Sequence, residues 1–127
     1  MRDRSNSRQE QIEKIGARLF ASKGYRSTSM REIAGELGMT QSSLYYYFKG
    51  KEEILFKLMN DAMDDALEAM EQIFSADSPP EEKLVQMLNF YTRYYAGDQD
   101  REILLLNEMS SLSEPNRRIL IEKQRRY

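Results

Sequence analysis

A stretch near the start of the chain, residues 28–53, constrains the fold most, because two short helix signals flank one glycine. Ser29 and Glu32 have the spacing of a capping box, in which each residue satisfies a free backbone N–H of the other. Gly38 can supply a left-handed turn, and Thr40 is suited to cap the helix that follows. The pattern predicts two helices joined by a tight turn rather than one continuous helix.

The same stretch meets the packing demands of a helix-turn-helix. Its first helix needs a small residue where the two helices cross, its turn needs a residue that tolerates positive φ, and its second helix needs an apolar anchor. Ala34, Gly38 and Leu44 satisfy these three demands in order. We therefore predict helices over residues 29–37 and 41–47.

The second of these helices carries polar groups that suit the reading of DNA. A recognition helix contacts base edges mainly through its N-terminal residues in the major groove. Glutamine can pair with adenine through two hydrogen bonds, a serine or threonine hydroxyl can bond either type of base, and the threonine methyl can meet that of thymine. The predicted base contacts are Thr40, Gln41, Ser42 and Tyr46.

Phosphate contacts are expected on both sides of this helix. A hydroxyl beside the N–H groups of a helix N-terminus favours an anion, a phenol can donate a hydrogen bond, and a lysine supplies charge. The predicted phosphate contacts are Thr28, Ser29, Tyr45, Tyr47 and Lys51. A second interpretation stays open, in which the tyrosines are half-buried packing residues and the lysine is only solvated.

Helical periodicity recurs along the whole chain, and no segment alternates apolar and polar residues long enough to predict a strand. The predicted fold is all-α: an N-terminal three-helix helix-turn-helix bundle, residues 1–50, is joined by a long helix to a second helical bundle within residues 51–127. Residues 1–7 are expected to be frayed. The remaining helices are predicted at about 8–23, 51–75, 80–96 and 99–112, with a last one from about Pro115.

Composition excludes several classes of function. The chain has no cysteine and no histidine, so it cannot form the usual zinc sites, disulfides or histidine-based acid–base catalysis. No run approaches the roughly 18 apolar residues of a membrane span, and no signal peptide is recognisable, so we expect a cytoplasmic protein without membrane contact. Asp61, Asp64 and Asp65 could hold a metal, but that spacing is more typical of a solvated helix face. We expect no enzyme, no metal and no cofactor.

The net charge of −2 hides an asymmetry along the chain. Residues 1–51 contain ten Lys and Arg against five Asp and Glu, a net charge of +5, whereas residues 52–127 contain nine against sixteen, a net charge of −7. A basic first part suggests that this part alone approaches a polyanion. Chance clustering of solvated charge would give the same count, so the asymmetry only supports the motif.

The motif residues resemble those of the tetracycline-repressor-like (TetR/AcrR) transcriptional regulators. One departure is Tyr47, where the family commonly has histidine; a phenol keeps a hydrogen-bond donor there. The resemblance implies a homodimeric repressor whose recognition helices lie roughly 34–36 Å apart on a palindromic operator of double-stranded DNA. It also implies an inducer that binds the C-terminal bundle and shifts the population away from the DNA-competent state. The matching residues are Leu19–Tyr25, Thr28-Ser29, Ile33-Ala34, Gly38-Met39-Thr40, Leu44-Tyr45, Tyr47-Phe48, Lys51-Glu52 and Leu55.

The second bundle holds candidates for a small apolar effector. Methionine suits irregular apolar surfaces, and several lie there with aromatic residues, although they could equally be plain core residues. Asn107-Glu108-Met109 together with Arg117-Arg118 and Arg125-Arg126-Tyr127 resembles the branch of the family that senses fatty-acyl coenzyme A, whose phosphates would bind arginines. The predicted pocket residues are Met59, Met63, Leu88, Tyr91, Tyr95, Leu105 and Met109.

Family members have two further long helices that pair across the dimer, so the second bundle is expected to be incomplete here, either as a fragment or as a shortened protein.

The first functional hypothesis is a ligand-responsive, DNA-binding repressor. The alternative is a helical protein-interaction module whose helix-turn-helix is architectural and which has no salt-dependent affinity for DNA.

Overall fold

The structure is a computed structural model that describes the backbone of residues 4–97 and 108–126 and the side chains of residues 7–92 and 108–125. Every regular element in these ranges is helical, which confirms the all-α prediction. The elements are α1 (Arg4–Lys23), α2 (Met30–Leu37), α3 (Gln41–Tyr47), α4 (Lys51–Ser75), α5 (Pro80–Gly97), a 3₁₀ turn (Met109–Ser111) and α6 (Glu114–Arg126).

The first three helices form a small head against the start of α4. Their apolar faces meet in one core, in which Ile12 of α1, Ile33 of α2 and Leu44 of α3 are fully buried. At Gly16 the backbone of α1 comes so close to α4 that an added Cβ would lie 2.9 Å from Cγ2 of Ile54. This close approach fixes the head on the long helix.

The long helix α4 connects the head to the rest of the chain. Its first turns bury Ile54 and Leu55 in the head, and its later turns contact α5 and α6. Leu112 and Leu120 join the same buried cluster, so the core continues from the head to the last helix. The core therefore crosses the predicted domain boundary between residues 50 and 51. That boundary stays a prediction.

Two helix boundaries differ from the expectation. Helix α1 begins at Arg4, so the described part of the segment expected to be frayed is helical; residues 4–7 contain no glycine or proline, and arginine favours helices. The helix expected over 99–112 lies mostly outside the described residues. Its described end is a 3₁₀ turn, where the Ser111 hydroxyl bonds the Glu108 carboxylate at 2.7 Å. Such local side-chain bonds compete with the regular helix.

Candidate nucleic-acid interface

The turn between α2 and α3 has the geometry that the sequence predicts. The Ser29 hydroxyl accepts from the Glu32 N–H at 3.1 Å, and the Glu32 carboxylate accepts from the Ser29 N–H at 3.3 Å, which completes the capping box. Gly38 ends α2 with φ 65° and ψ 29°, the left-handed conformation that favours glycine. The Met39 N–H then donates to the Ala34 carbonyl at 2.9 Å, so the chain reverses and enters α3.

Thr40 begins α3 as its N-cap, as predicted. Its hydroxyl accepts from the Ser43 N–H at 3.1 Å and donates to the Ser43 hydroxyl at 2.9 Å. The hydroxyl proton is therefore used within the protein, and Thr40 offers DNA its methyl group and one remaining acceptor lone pair. Its contact with a base stays a prediction.

Helix α3 presents its polar groups in a fixed order around the axis. Successive residues turn by about 100°, so the residues two before and two after Leu44 project away from the core. Leu44 is fully buried, whereas Ser42 is exposed and the Tyr46 side chain is 79% exposed. Gln41 and Tyr45 lie on one side of this outward face, and Ser43 and Tyr47 lie on the other.

A first open groove, which we call the α2-side groove, follows α3 where it faces α2. It has a volume of about 620 Å³ and includes Gln41 and the half-exposed Tyr45. Arg26 and Arg31 bring two exposed guanidinium groups to the same groove. Neither arginine belongs to the turn motif, and the only sign of them in the sequence is the excess of basic residues in the first part of the chain.

A second open groove, which we call the α1-side groove, follows the opposite side of α3. It has a volume of about 610 Å³ and lies between the start of α1, at Arg8, and the residues Ser42, Ser43 and Tyr47. The Tyr46 and Tyr47 rings meet edge to face, with centroids 5.1 Å apart. Arg8 and Ser43 were not predicted as DNA contacts, because neither belongs to the turn motif from which the other contacts were predicted.

Lys51 lies at the edge of the α2-side groove, but its ammonium group is used inside the protein. Nζ donates to the backbone carbonyls of Tyr25 at 2.8 Å and of Thr28 at 3.1 Å. It also lies 4.4 Å from the centroid of the Tyr25 ring. In this geometry Lys51 ties the loop before α2 to the start of α4, so the structure gives no support to the predicted phosphate contact.

The Tyr25 ring that Lys51 covers is itself buried. It packs edge to face on Phe20, with centroids 5.0 Å apart. Burial, with the carboxylates of Glu52 and Glu108 nearby, raises the pKa of Tyr25 to about 12. The phenol is therefore neutral at physiological pH and belongs to the base of the head rather than to its polar surface.

Thr28 and Ser29 differ in what they offer a phosphate. Thr28 borders the α2-side groove, but its side chain is almost fully buried and its hydroxyl donates to the Gly24 carbonyl at 2.9 Å, so its hydroxyl proton is already used within the protein. Ser29 is exposed, but its hydroxyl is held in the capping box. Of the predicted phosphate contacts, Tyr45 and Tyr47 also line the two grooves. Their hydroxyls, unlike the polar groups of the other three residues, have no described bond to the backbone.

The predicted effector residues are separated in the structure. Met59 and Met63 are buried in the common core, and Met109 packs partly against it, as the plain-core interpretation predicts. Leu88 and Tyr91 lie on the exposed side of α5, 59% and 52% exposed. The Tyr95 side chain and Leu105 fall outside the described residues, so the pocket as a set stays a prediction.

Carboxylates in the described ranges form ion pairs rather than a metal site. Asp61 pairs with Lys57 at 2.7 Å, and Asp64 pairs with Lys123 at 2.5 Å, as on a solvated helix face. Within residues 4–97 and 108–126 no group of three or more Asp or Glu is arranged to hold a metal. Over the same ranges no helix is both long and apolar enough to cross a membrane.

Comparison with known proteins identifies this arrangement. The family model described as bacterial regulatory proteins of the tetR family matches residues 14–58, which include both helices of the turn motif. A second model, the tetracyclin repressor-like C-terminal domain, matches residues 77–127. The chain belongs to the TetR family. The family and the matching relatives are transcriptional regulators rather than enzymes, as predicted.

Individual TetR-family relatives agree in fold. A regulator from Bordetella parapertussis 12822 superposes with a TM-score of 0.86 at 32% identity, over 92% of this chain and 61% of that one. The structure of AibR in complex with isovaleryl coenzyme A and operator DNA gives a TM-score of 0.78 at 30% identity, over 94% and 65%. The fatty acid metabolism regulator protein of Bacillus subtilis is 29% identical over 99 residues, 78% of this chain and 51% of that protein.

The matched proteins are longer than this TetR-family chain. It spans 36% to 51% of the first three curated relatives and 61% to 64% of the first three solved structures. Activities, ligands and partners of the complete relatives therefore enter as proposals.

Proposed function

We propose that this chain contains the operator-reading part of a transcriptional repressor, in which α3 enters the major groove of double-stranded DNA. The observation that carries the proposal is the polar outward face of α3, flanked by two open grooves that contain arginines. Gln41, Ser42 and Tyr46 are exposed on this helix and have groups that bond base edges. The thymine methyl is the expected partner of the Thr40 methyl.

Phosphate binding in the proposal rests on the α2-side groove and on two phenols, the half-exposed Tyr45 and the partly buried Tyr47. Arg26 and Arg31 can bond phosphate oxygens through two N–H groups each, and Tyr45 and Tyr47 can donate through their hydroxyls. Phosphate contacts of this kind fix the register of a protein on the duplex, whereas base contacts specify the sequence. The proposed phosphate contacts therefore replace Thr28 and Lys51 with the two arginines, and Ser29 contributes only near the N-terminus of α2.

The assembly that fits this function is a homodimer on a palindromic operator. Two copies of α3 would lie in successive major grooves on one face of the duplex, roughly 34–36 Å apart. A regulator of this kind acts where the DNA is, in the cytoplasm. A small apolar effector that changes the distance between the two copies would release the operator through a population shift.

An acyl-coenzyme A is the proposed effector. Two relatives support this class: AibR was crystallised with isovaleryl coenzyme A and operator DNA, and a Bacillus subtilis relative is named for fatty acid metabolism. Of the residues predicted from the sequence, those proposed to meet the acyl chain are Leu88, Tyr91, Tyr95, Leu105 and Met109, because Met59 and Met63 are buried in the common core. Adding isovaleryl or longer acyl coenzyme A to the DNA complex, with free coenzyme A as control, tests this part, and release by none of them would reject it.

The test of DNA reading is a substitution at Gln41 together with selection of duplexes from a random-sequence library. Wild-type chain should enrich a palindrome and bind it less tightly as salt rises, because phosphate neutralisation releases counterions. Gln41→Ala should lose about 1–3 kcal/mol of discrimination at one base pair in each half-site while keeping its affinity for random DNA. Binding to duplexes with single base-pair changes measures this loss.

The matched control is Gln72→Ala, which removes the same side chain from an exposed position on α4 far along the chain from the head. It should keep the wild-type preference at every base pair. If wild type shows no salt-dependent binding to any duplex, the proposal fails in favour of the alternative, a protein-interaction module with an architectural helix-turn-helix.

A further inference from the structure

The α1-side groove contains a cation that the turn motif does not include. Arg8 is on the second turn of α1, and its guanidinium shares this groove with Ser42, Ser43 and Tyr47 of α3. We propose that Arg8 is an operator-contact residue, which binds a phosphate of the DNA strand opposite to the strand bound at the α2-side groove. This inference rests on the proposed function and adds a contact to it.

The dimensions of a helix in DNA support contacts on both sides of α3. An α-helix with its side chains is about 10–12 Å across, and the major groove of B-DNA is about 12 Å wide. A helix that fills the groove therefore has one phosphate backbone along each side. Because Gln41 and Tyr45 lie on one side of α3 and Ser43 and Tyr47 on the other, the two open grooves face different strands.

A hydrogen bond within α1 orients the Arg8 guanidinium and leaves its charge available to a phosphate. Its Nη1 donates to the Gln11 amide oxygen at 3.1 Å, one helical turn along α1. Glutamine is neutral, so this bond orients the guanidinium without neutralising it. The remaining N–H groups of a guanidinium form a planar fork that matches phosphate oxygens.

The tyrosine beside Arg8 supplies a second donor. Tyr47 is partly exposed at the same groove, and the Tyr46 ring packs against it edge to face. A phenol and a guanidinium on one side of α3 could bond the same or adjacent phosphates. The opposite side has Tyr45 with Arg26 and Arg31, so each strand would meet one phenol and at least one arginine.

The test compares Arg8→Ala with Lys14→Ala, a control that removes one positive charge from an exposed position on the same helix outside the groove. The probes are a duplex selected by the wild-type chain and a random duplex of the same length. Arg8→Ala should weaken both roughly five- to tenfold and make the slope of log K against log salt less negative by about 0.9. Lys14→Ala should stay within about twofold of wild type with an unchanged slope, and circular dichroism checks that each variant folds.

Replacing single phosphates by neutral methylphosphonates identifies the strand. Within one half-site, Arg8→Ala should become insensitive to neutralisation of one phosphate, and Arg31→Ala should become insensitive to a different phosphate on the other strand. The inference is overturned if both variants lose sensitivity on the same strand, or if Arg8→Ala behaves as Lys14→Ala does. Either result with intact wild-type binding would leave the proposed function standing, whereas absent wild-type binding would reject that function itself.

Discussion

Lys51 illustrates, at the scale of one residue, how the surroundings of a cation decide its role. Its Nζ donates to the backbone carbonyls of Tyr25, Arg26 and Thr28, which lie 26, 25 and 23 residues earlier in the chain. The Tyr25 ring beneath the ammonium group adds a cation–π contact. A cation held in this way stabilises the loop before α2 and keeps the end of the head in register with α4.

Lys51→Met removes the charge and keeps most of the aliphatic stem, so we expect a loss of unfolding free energy of about 1.5–3 kcal/mol, the usual range for a hydrogen bond to a charged group. Urea unfolding measures the loss. Lys49→Met is the control, because it removes the same charge from an exposed side chain two residues away and should change stability by less than about 0.5 kcal/mol.

A purely phosphate-binding lysine would give another result. Lys51→Met would then keep wild-type stability and only lower the salt dependence of DNA binding. That outcome would contradict the role assigned from the structure and would restore the prediction made from the motif.

The turn between α2 and α3 is the element that determines the shape of the head. Gly38 has φ 65°, and a Cβ built on it would meet nothing within 4 Å. Its requirement is therefore one of backbone conformation, not of space. Gly35, inside α2 and also exposed, has equal room for a Cβ but no positive φ.

The two glycines make a matched pair of substitutions. Gly38→Ala should lower the unfolding free energy by about 1–2 kcal/mol, because an L-residue is strained in the left-handed region. Gly35→Ala should raise it by about 0.5–1 kcal/mol, because alanine is the better helix residue. Denaturant unfolding of both variants measures the difference. Equal effects of the same sign would show that the turn does not impose the strain inferred here.

At the scale of the whole molecule, the first turn of α4 is bonded both to the head and to the end of the chain. Beside Lys51, the Glu52 carboxylate accepts from the Ser113 N–H and from the Asn116 side chain. Leu112 and Leu120 are buried in the same core as the head, and the last helix packs against α4, so the segment over residues 108–126 is joined to the head through α4. Movement of this segment would therefore displace Glu52, which is adjacent in sequence to Lys51, the residue that bonds the loop before α2.

The Glu52 contact predicts acid sensitivity of the docked segment. The backbone hydrogen bond from Ser113 lowers the pKa of Glu52 below its ordinary value. A carboxyl group whose pKa is depressed by folding contributes stability above its unfolded pKa, and this contribution is lost as pH falls through the folded pKa. Hydrogen exchange at the Ser113 amide should therefore accelerate, relative to the intrinsic rate, as pH falls below about 4.5.

Glu52→Gln should remove this pH dependence, because an amide does not titrate over the range. Glu68→Gln, at an exposed position further along α4, is the control and should retain it. An equal pH dependence in wild type and in Glu52→Gln would exclude the carboxylate as its source.

The helices and the turn could be predicted from the sequence because their signals are local. The capping box of Ser29 and Glu32, the cap at Thr40 and the positive φ of Gly38 depend on residues a few positions apart, and all three occur in the structure. The outward set of α3 followed from the position of Leu44 alone, since helical geometry determines which residues oppose a buried anchor.

The roles of particular side chains could not be predicted in this way. Thr28 and Lys51 are residue types that suit phosphate binding, yet Thr28 is buried with its hydroxyl bonded to the Gly24 carbonyl, and Lys51 bonds backbone carbonyls of the loop before α2. Arg8 belongs to no motif and is brought beside α3 only by the packing of α1. Lys51 and Arg8 depend on partners far away in the chain, and Thr28, although it bonds Gly24 four residues before it, is buried only because the core forms around it.

The amino-acid sequence is therefore enough to establish the class of the molecule: helices, a helix-turn-helix, and a basic N-terminal part whose third helix exposes polar side chains. Periodicity, caps and turns are enforced by backbone conformation over one or two helical turns, which is why they are readable without a structure. Tertiary packing alone decided which cations remain at the surface of the head and which are used within it. That choice depends on how α1, α3 and α4 meet, because burial and hydrogen bonding between distant residues exist only once the core has formed.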